Sequence, residues 1–80
     1  MFYVYLIRST RFPYKVYVGI TEDLKKRLKT HNSGGSVHTA KYKPWNLAVY
    51  MGFVDETKAR DFEKYLKSGS GRAFAKKRLW

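Results

Sequence analysis

Residues 15–20 alternate without a break: Val16, Val18 and Ile20 fall on one side of an extended strand, and Lys15, Tyr17 and Gly19 on the other. A clean period of two describes a strand with one buried face, and such a strand needs neighbours and a cover. Residues 2–8 are β-branched and aromatic and read as another strand. Residues 9–14, with Ser9, Thr10 and Pro13, read as the turn between the two. Strands this close in sequence pair most simply as an antiparallel hairpin. Residues 47–54 alternate again and supply a third strand.

Between and after the strands the signals are helical. Thr21 is the expected N-cap of a helix over 22–32, with Leu24 and Leu28 as a narrow apolar stripe. Arg27 and His31 flank that stripe four residues apart, hence on one face. Ser33-Gly34-Gly35-Ser36 ends the helix, and a basic loop with Lys41, Lys43 and Pro44 leads to Trp45. Asp55 is expected to cap a helix reaching about residue 67, with Ala59, Phe62 and Leu66 inward. Ser68-Gly69-Ser70-Gly71 is expected to break it, before a short basic helix from Arg72 in which Phe74 and Leu79 pack. The order β-β-α-β-α-α predicts a single α+β domain over 1–80, a three-stranded antiparallel sheet flanked by helices.

Charge narrows the partner. Seventeen Lys and Arg against six Asp and Glu give a formal net charge of +11. Such an excess suits a polyanion: nucleic acid first, an anionic membrane surface second. No apolar run approaches the ~18 residues of a transmembrane helix, and the N-terminus lacks the basic-then-apolar order of a signal peptide. The expectation is a cytoplasmic protein whose partner is nucleic acid rather than a membrane. With no cysteine there is neither a disulfide nor a thiolate metal site, so the core must come from five Phe, seven Tyr and two Trp.

Four of the six acids, Glu22, Asp23, Asp55 and Glu56, sit at helix starts, where free N–H groups and the helix dipole account for them. Asp61 and Glu63 remain. No acid lies between Asp23 and Asp55 and none follows Glu63. Lys41 and Lys43 in the first of these stretches, and Arg72, Lys76 and Lys77 in the second, are the candidates for gripping a phosphate backbone.

Tyr17, Arg27, His31 and Glu63 offer a phenol, a guanidinium, an imidazole and a carboxylate, a workable set for cutting a phosphodiester with one metal ion. Each has an ordinary structural reading as well. Tyr17 suits a packed strand position, yet Gly19 two residues on marks a close approach, and Tyr3 and Tyr5 share a face of the neighbouring strand beside it. Arg27 can belong to a solvated basic face, and His31 can be a helix C-terminal cation. Glu63 can pair with Arg60 or Lys67 along its helix. Ala59 and Leu66 nevertheless put it beside the buried stripe, where a carboxylate needs a partner or a metal. Two histidines without cysteine argue against zinc, and one free carboxylate suits Mg²⁺.

In this order and spacing the residues resemble the GIY-YIG nuclease family, above all its small stand-alone bacterial members, similar to the N-terminal catalytic module of the bacterial excision-repair nuclease subunit. The two signature triplets are Tyr3-Val4-Tyr5 and Tyr17-Val18-Gly19. The family's arginine, its histidine-or-tyrosine and its metal-binding glutamate fall on Arg27, His31 and Glu63. In two places the chain departs from the pattern: Tyr3 stands where the first triplet has glycine, and Phe74-Ala75-Lys76 stands where many members have an asparagine. The resemblance implies an endonuclease using Mg²⁺ or Mn²⁺ held by Glu63. Tyr17, with Tyr5 beside it, would act on the attacking water, Arg27 on the phosphate, and His31 would share the proton work. An ordinary phenol has a pKa near ~10, so nearby cations would have to favour the phenolate. Family members tend to carry a separate DNA-binding domain, which points to a partner protein as the source of substrate specificity. The alternative is a non-catalytic nucleic-acid-binding or adaptor module on the same scaffold. A ribosome-associated basic protein would account for the charge but not for Glu63.

Overall fold

The strand with the longest buried run is the central one. The computed structural model describes residues 1–80. In it β1 (Phe2–Ser9) lies between β2 (Val16–Thr21) and β3 (Trp45–Phe53), antiparallel to both, and Val4 to Ile7 are buried on the two faces of the sheet. The remaining elements are α1 (Leu24–Ser33), α2 (Val37–Ala40), α3 (Glu56–Lys67) and α4 (Gly69–Arg78). The expected α+β architecture is therefore present, with one short helix more than the sequence suggested.

Alternation divides the core in two. Val4 and Leu6 pack with Ala59, Leu66 and Ala75 under α3 and α4, joined by Val18, Ile20 and Phe62. Tyr5, Ile7 and Trp45 pack on the opposite face with Tyr17, Leu24 and Leu28 under α1. Val16 shares its face with Val18 but remains exposed, because the helices do not extend over that end of β2. No helix is long and apolar enough to cross a membrane.

Several boundaries differ from expectation, each for a local reason. Asp23, not Thr21, caps α1: its carboxylate accepts the Lys26 N–H, while the Thr21 hydroxyl takes the Asp23 N–H in the turn before. The basic stretch before Trp45 contains α2, a single turn too short to leave a periodic pattern. β3 starts at Trp45 because the Asn32 amide binds both the N–H and the C=O of that residue. The Ser-Gly run breaks α3 as expected, but at Ser68 alone, and its glycines already belong to α4: Ser68 ends one helix and caps the next, accepting the Gly71 N–H. Gly71 is buried against the last turn of α3, where a Cβ would come within 2.5 Å of the Tyr65 carbonyl carbon. Gly71 and Ala75, four apart, share the buried face of α4, so Ala75 rather than Phe74 is buried, while Leu79 packs on the core as expected.

Candidate catalytic site

The site is built around the Tyr5 hydroxyl. Tyr5 pairs with Gly19 across the hairpin, and its ring fills the space a side chain at Gly19 would take. A Cβ there would lie 2.5 Å from Tyr5 Cζ and closer still to the oxygen. The close approach that Gly19 signalled is thus with a side chain of the same sheet. Tyr3, in the position of the missing signature glycine, faces Gly52 on β3 and packs edge-on against Tyr50, away from this cluster.

Tyr5 Oη accepts the Arg27 Nε–H at 3.2 Å and lies 2.8 Å from His31 Nε2. His31 Nδ1 lies 2.7 Å from Thr39 Oγ1. Only one assignment of protons satisfies every atom. Arg27 has no lone pair to offer, so Tyr5 must direct its single proton to His31 Nε2. The imidazole then carries its own proton on Nδ1 and donates it to Thr39, whose hydroxyl donates to the Ser36 carbonyl. No buried side-chain polar atom in the molecule is left without a partner.

The electrostatics support the same assignment. Burial pushes the Tyr5 phenol above its ordinary pKa, and this outweighs the Arg27 guanidinium, which acts the other way. The expectation that nearby cations would favour a phenolate therefore fails at Tyr5. The hydrogen bond to Tyr5 raises the Arg27 pKa. Burial, with the Arg27 charge adding to it, lowers the pKa of His31. His31 is 0% exposed with both ring nitrogens engaged. It is neither a helix-end cation nor a group that meets solvent, and it lies behind Tyr5.

Tyr17 is half-buried on the same face, its ring centroid 6.5 Å from that of Tyr5 and 5.2 Å from that of His31. From the helical layer on the other face, α3 contributes Lys67, whose Nζ lies 5.7 Å from the Tyr17 ring centroid and 2.7 Å from Glu63 Oε2. Of the two pairings open to Glu63, the structure thus takes Lys67, while Arg60 pairs with Glu56. The Glu63 side chain is 18% exposed. No group of three or more His, Cys, Asp or Glu is close enough to hold a metal by itself. The donor set fits only an ion that takes one carboxylate and fills its other positions with water and phosphate oxygens, as Mg²⁺ does. Glu63 can offer this, since one of its oxygens is held by Lys67 and the other carries no protein hydrogen bond.

The expected phosphate-gripping residues divide between two places. Lys41 and Lys43 are exposed in the segment between α2 and β3. Arg72 and Lys76 line a cleft of about 730 Å³ at the free edge of β2, and Lys77 is exposed nearby on the same helix. Sequence reasoning missed Thr39, which lies in the unforeseen α2, and treated Lys67 only as an ion-pair partner. It also passed over Arg8 and Trp80, which line the cleft from the two ends of the chain and carry no motif.

Residues 1–78 match the profile of the GIY-YIG catalytic domain, and the chain belongs to that family. Nucleases of this family generally use a divalent metal ion. The structure-specific endonuclease subunit SLX1 of Candida dubliniensis is 38% identical over 71 residues, covering 80% of this chain and 25% of the relative. The SLX1 homologue of Drosophila persimilis is 39% identical over 69 residues, 75% of this chain and 24% of the relative. That of Giardia intestinalis is 31% identical over 65 residues, 76% and 18%. The chain spans about a quarter or less of the length of these relatives.

Proposed function

We propose that this domain is a metal-dependent endonuclease that hydrolyses phosphodiester bonds in DNA. The supporting observation is Arg27, gripped at Nε by the buried Tyr5–His31–Thr39 chain and interacting with Tyr17 as well, so that its guanidinium is held in place at the site. A guanidinium fixed in advance stabilises developing phosphate charge without reorganising at the moment of reaction. Tyr17 orients the attacking water. Bound at Glu63, Mg²⁺ or Mn²⁺ would polarise the scissile phosphate and stabilise the leaving oxygen. Tyr5 and His31 act through Arg27 as positioning residues. Lys41, Lys43, Arg72, Lys76 and Lys77 hold the backbone without reading sequence. The relatives are named as structure-specific endonuclease subunits, and on that footing a partner protein supplies the choice of substrate here. A cytoplasmic setting belongs to the same proposal.

The test is incubation of the purified domain with branched, nicked, linear and single-stranded DNA, and with RNA, with and without Mg²⁺ or Mn²⁺. DNA should be nicked only with metal. Glu63→Gln, which keeps shape but removes the charge a hard cation needs, should abolish nicking while metal-free binding stays level. Undiminished cleavage by Glu63→Gln would sink the mechanism. No cleavage of any substrate by the parent domain would favour the nucleic-acid-binding module instead.

A further inference from the structure

The cleft at the free edge of β2 is chemically uniform in one respect: it is lined by Arg8, Lys67, Arg72 and Lys76 and by no acid. In a chain with six acids this is a concentrated positive surface, and it begins at Tyr17 and Lys67, where the candidate catalytic site ends. Its walls are nevertheless largely apolar, seven of its twelve lining residues being hydrophobic. Exposed Val16 and half-buried Val18 form part of the floor, and half-buried Trp80 closes the far side. Arg8 is held there by the Pro13 carbonyl at 3.1 Å, with its guanidinium carbon 5.2 Å from the Trp80 ring centroid. The Trp80 backbone N–H in turn donates to the Ala75 carbonyl at 2.9 Å, which fixes the backbone beyond α4.

Cations alone would suit any polyanion, and an apolar pocket alone would suit many ligands. The combination is more selective. A duplex presents its phosphates outward and keeps its base faces stacked, so it would leave these apolar walls in contact with water. An unpaired strand presents phosphates and base faces together. Sites for such strands combine a positive groove with aromatic stacking surfaces. The volume, about 730 Å³, lies within the range of roughly 300–1,000 Å³ typical of pockets that enclose a small ligand.

We infer that this cleft binds an unpaired stretch of a nucleic-acid strand, with Trp80 and the Arg8 guanidinium that lies over its ring together forming the surface on which a base stacks, and Lys67, Arg72 and Lys76 as partners for its phosphates. This deepens, and rests on, the reading of the domain as one that acts on nucleic acid. It makes the substrate a strand that leaves its duplex close to the cut.

The test is binding without metal, so that cleavage plays no part. The probes are oligo-dT and oligo-U of about a dozen nucleotides, a DNA duplex of equal length, and polyglutamate as a polyanion without bases. Fluorescence anisotropy reports affinity. Intrinsic emission reports stacking, because Trp45 is buried and Trp80 is the tryptophan a ligand can reach. Oligo-dT should bind several-fold more tightly than the duplex and quench the emission. Trp80→Leu should remove the quenching and weaken single-strand binding about tenfold, as expected for one stacked base. Lys76→Glu, at an exposed position, should weaken it several-fold with an unchanged circular dichroism spectrum. Oligo-U binding equal to oligo-dT would support recognition of strand chemistry in general; a preference for oligo-dT would support DNA. The inference is overturned if the duplex binds as tightly as the single strand without quenching. It is also overturned if polyglutamate competes equally, or if Trp80→Leu and Lys76→Glu leave affinity unchanged. Should Trp80→Leu not fold, quenching in the parent protein and the Lys76→Glu affinity decide. Metal-dependent nicking that survives a failed cleft test would leave the nuclease reading intact. Quenched single-strand binding without any nicking would leave the cleft intact and remove the nuclease.

Discussion

Replacing Gly19 by alanine separates strand propensity from the packing around Tyr5. By propensity alone the change should help, since glycine within a strand is about 0.5–1 kcal/mol less favourable than alanine. The structure reverses the sign. A Cβ at position 19 would lie 2.5 Å from Tyr5 Cζ, and the ring is 2% exposed among Tyr17, His31, Ile7 and Trp45. Overpacking of this kind costs about 1–3 kcal/mol. Moving the ring also breaks the hydrogen bonds from Arg27 and to His31, at about 1 kcal/mol each. Set against the propensity gain, the expected net loss is about 2–4 kcal/mol. For a domain of this size that corresponds to a fall in Tm on the order of 10–30 °C. Urea and thermal unfolding followed by circular dichroism measure it. In a Tyr5→Leu background, which removes the ring, the same Gly19→Ala change should lose most of its cost, a coupling of at least about 1 kcal/mol. Equal effects in the two backgrounds, or a stabilised Gly19→Ala single variant, would refute the account of Gly19.

The other expectations follow from the hydrogen-bond chain. Tyr5→Phe should lower stability by about 1–3 kcal/mol, because it leaves the buried His31 Nε2 without a donor, and should slow nicking without weakening metal-free DNA binding. Arg27→Ala should slow nicking by about 10²–10³-fold while Lys25→Ala, at an exposed position on the same helix, changes it little; equal losses would reduce Arg27 to one member of the basic patch. Burial lowers the His31 pKa in the fold, so below the unfolded value of ~6.5 the unfolded chain takes up a proton the native state resists. Stability should therefore be level above that pH and fall as pH drops from about 7 to 5, with the slope flattened in His31→Gln; a parent curve with no slope there would contradict the neutral, buried assignment.

The sheet and its helices were legible because their signals are local: alternation over 15–20 and 47–54, carboxylates ahead of two helices, and the 59–62–66 stripe. What escaped depended on contacts distant in sequence. Nothing near residue 39 announces that Thr39 will complete a chain from Arg27, since one turn of helix has no period to read. His31 followed by Asn32 looks like a polar helix end. In the fold His31 turns inward to Tyr5 and Thr39, while Asn32, though exposed, binds the Trp45 backbone. The helix spacing of Arg27 and His31 placed them correctly on one face, but spacing could not tell which of the two would be buried. That depended on Gly19 making room for the Tyr5 ring, a cross-strand effect set by the hairpin register.

The two pKa shifts at the centre of the cluster act to one end. A raised phenol pKa keeps Tyr5 protonated and a lowered imidazole pKa keeps His31 neutral, so the chain from Arg27 to Thr39 contains a single charge, that of the guanidinium. Protonating His31 would put a second cation beside the first and remove the acceptor for the Tyr5 proton. Tyr5 would then have to turn its hydroxyl elsewhere, and the grip on Arg27 Nε would loosen. Stability and the orientation of Arg27 are thus linked through one proton. If His31 holds Arg27 by this route, the loss of nicking should follow protonation of the native state and so set in at lower pH than the loss of stability, which begins at the unfolded value. His31→Gln should remove both; nicking lost at or above the pH where stability starts to fall would assign the activity titration to another group.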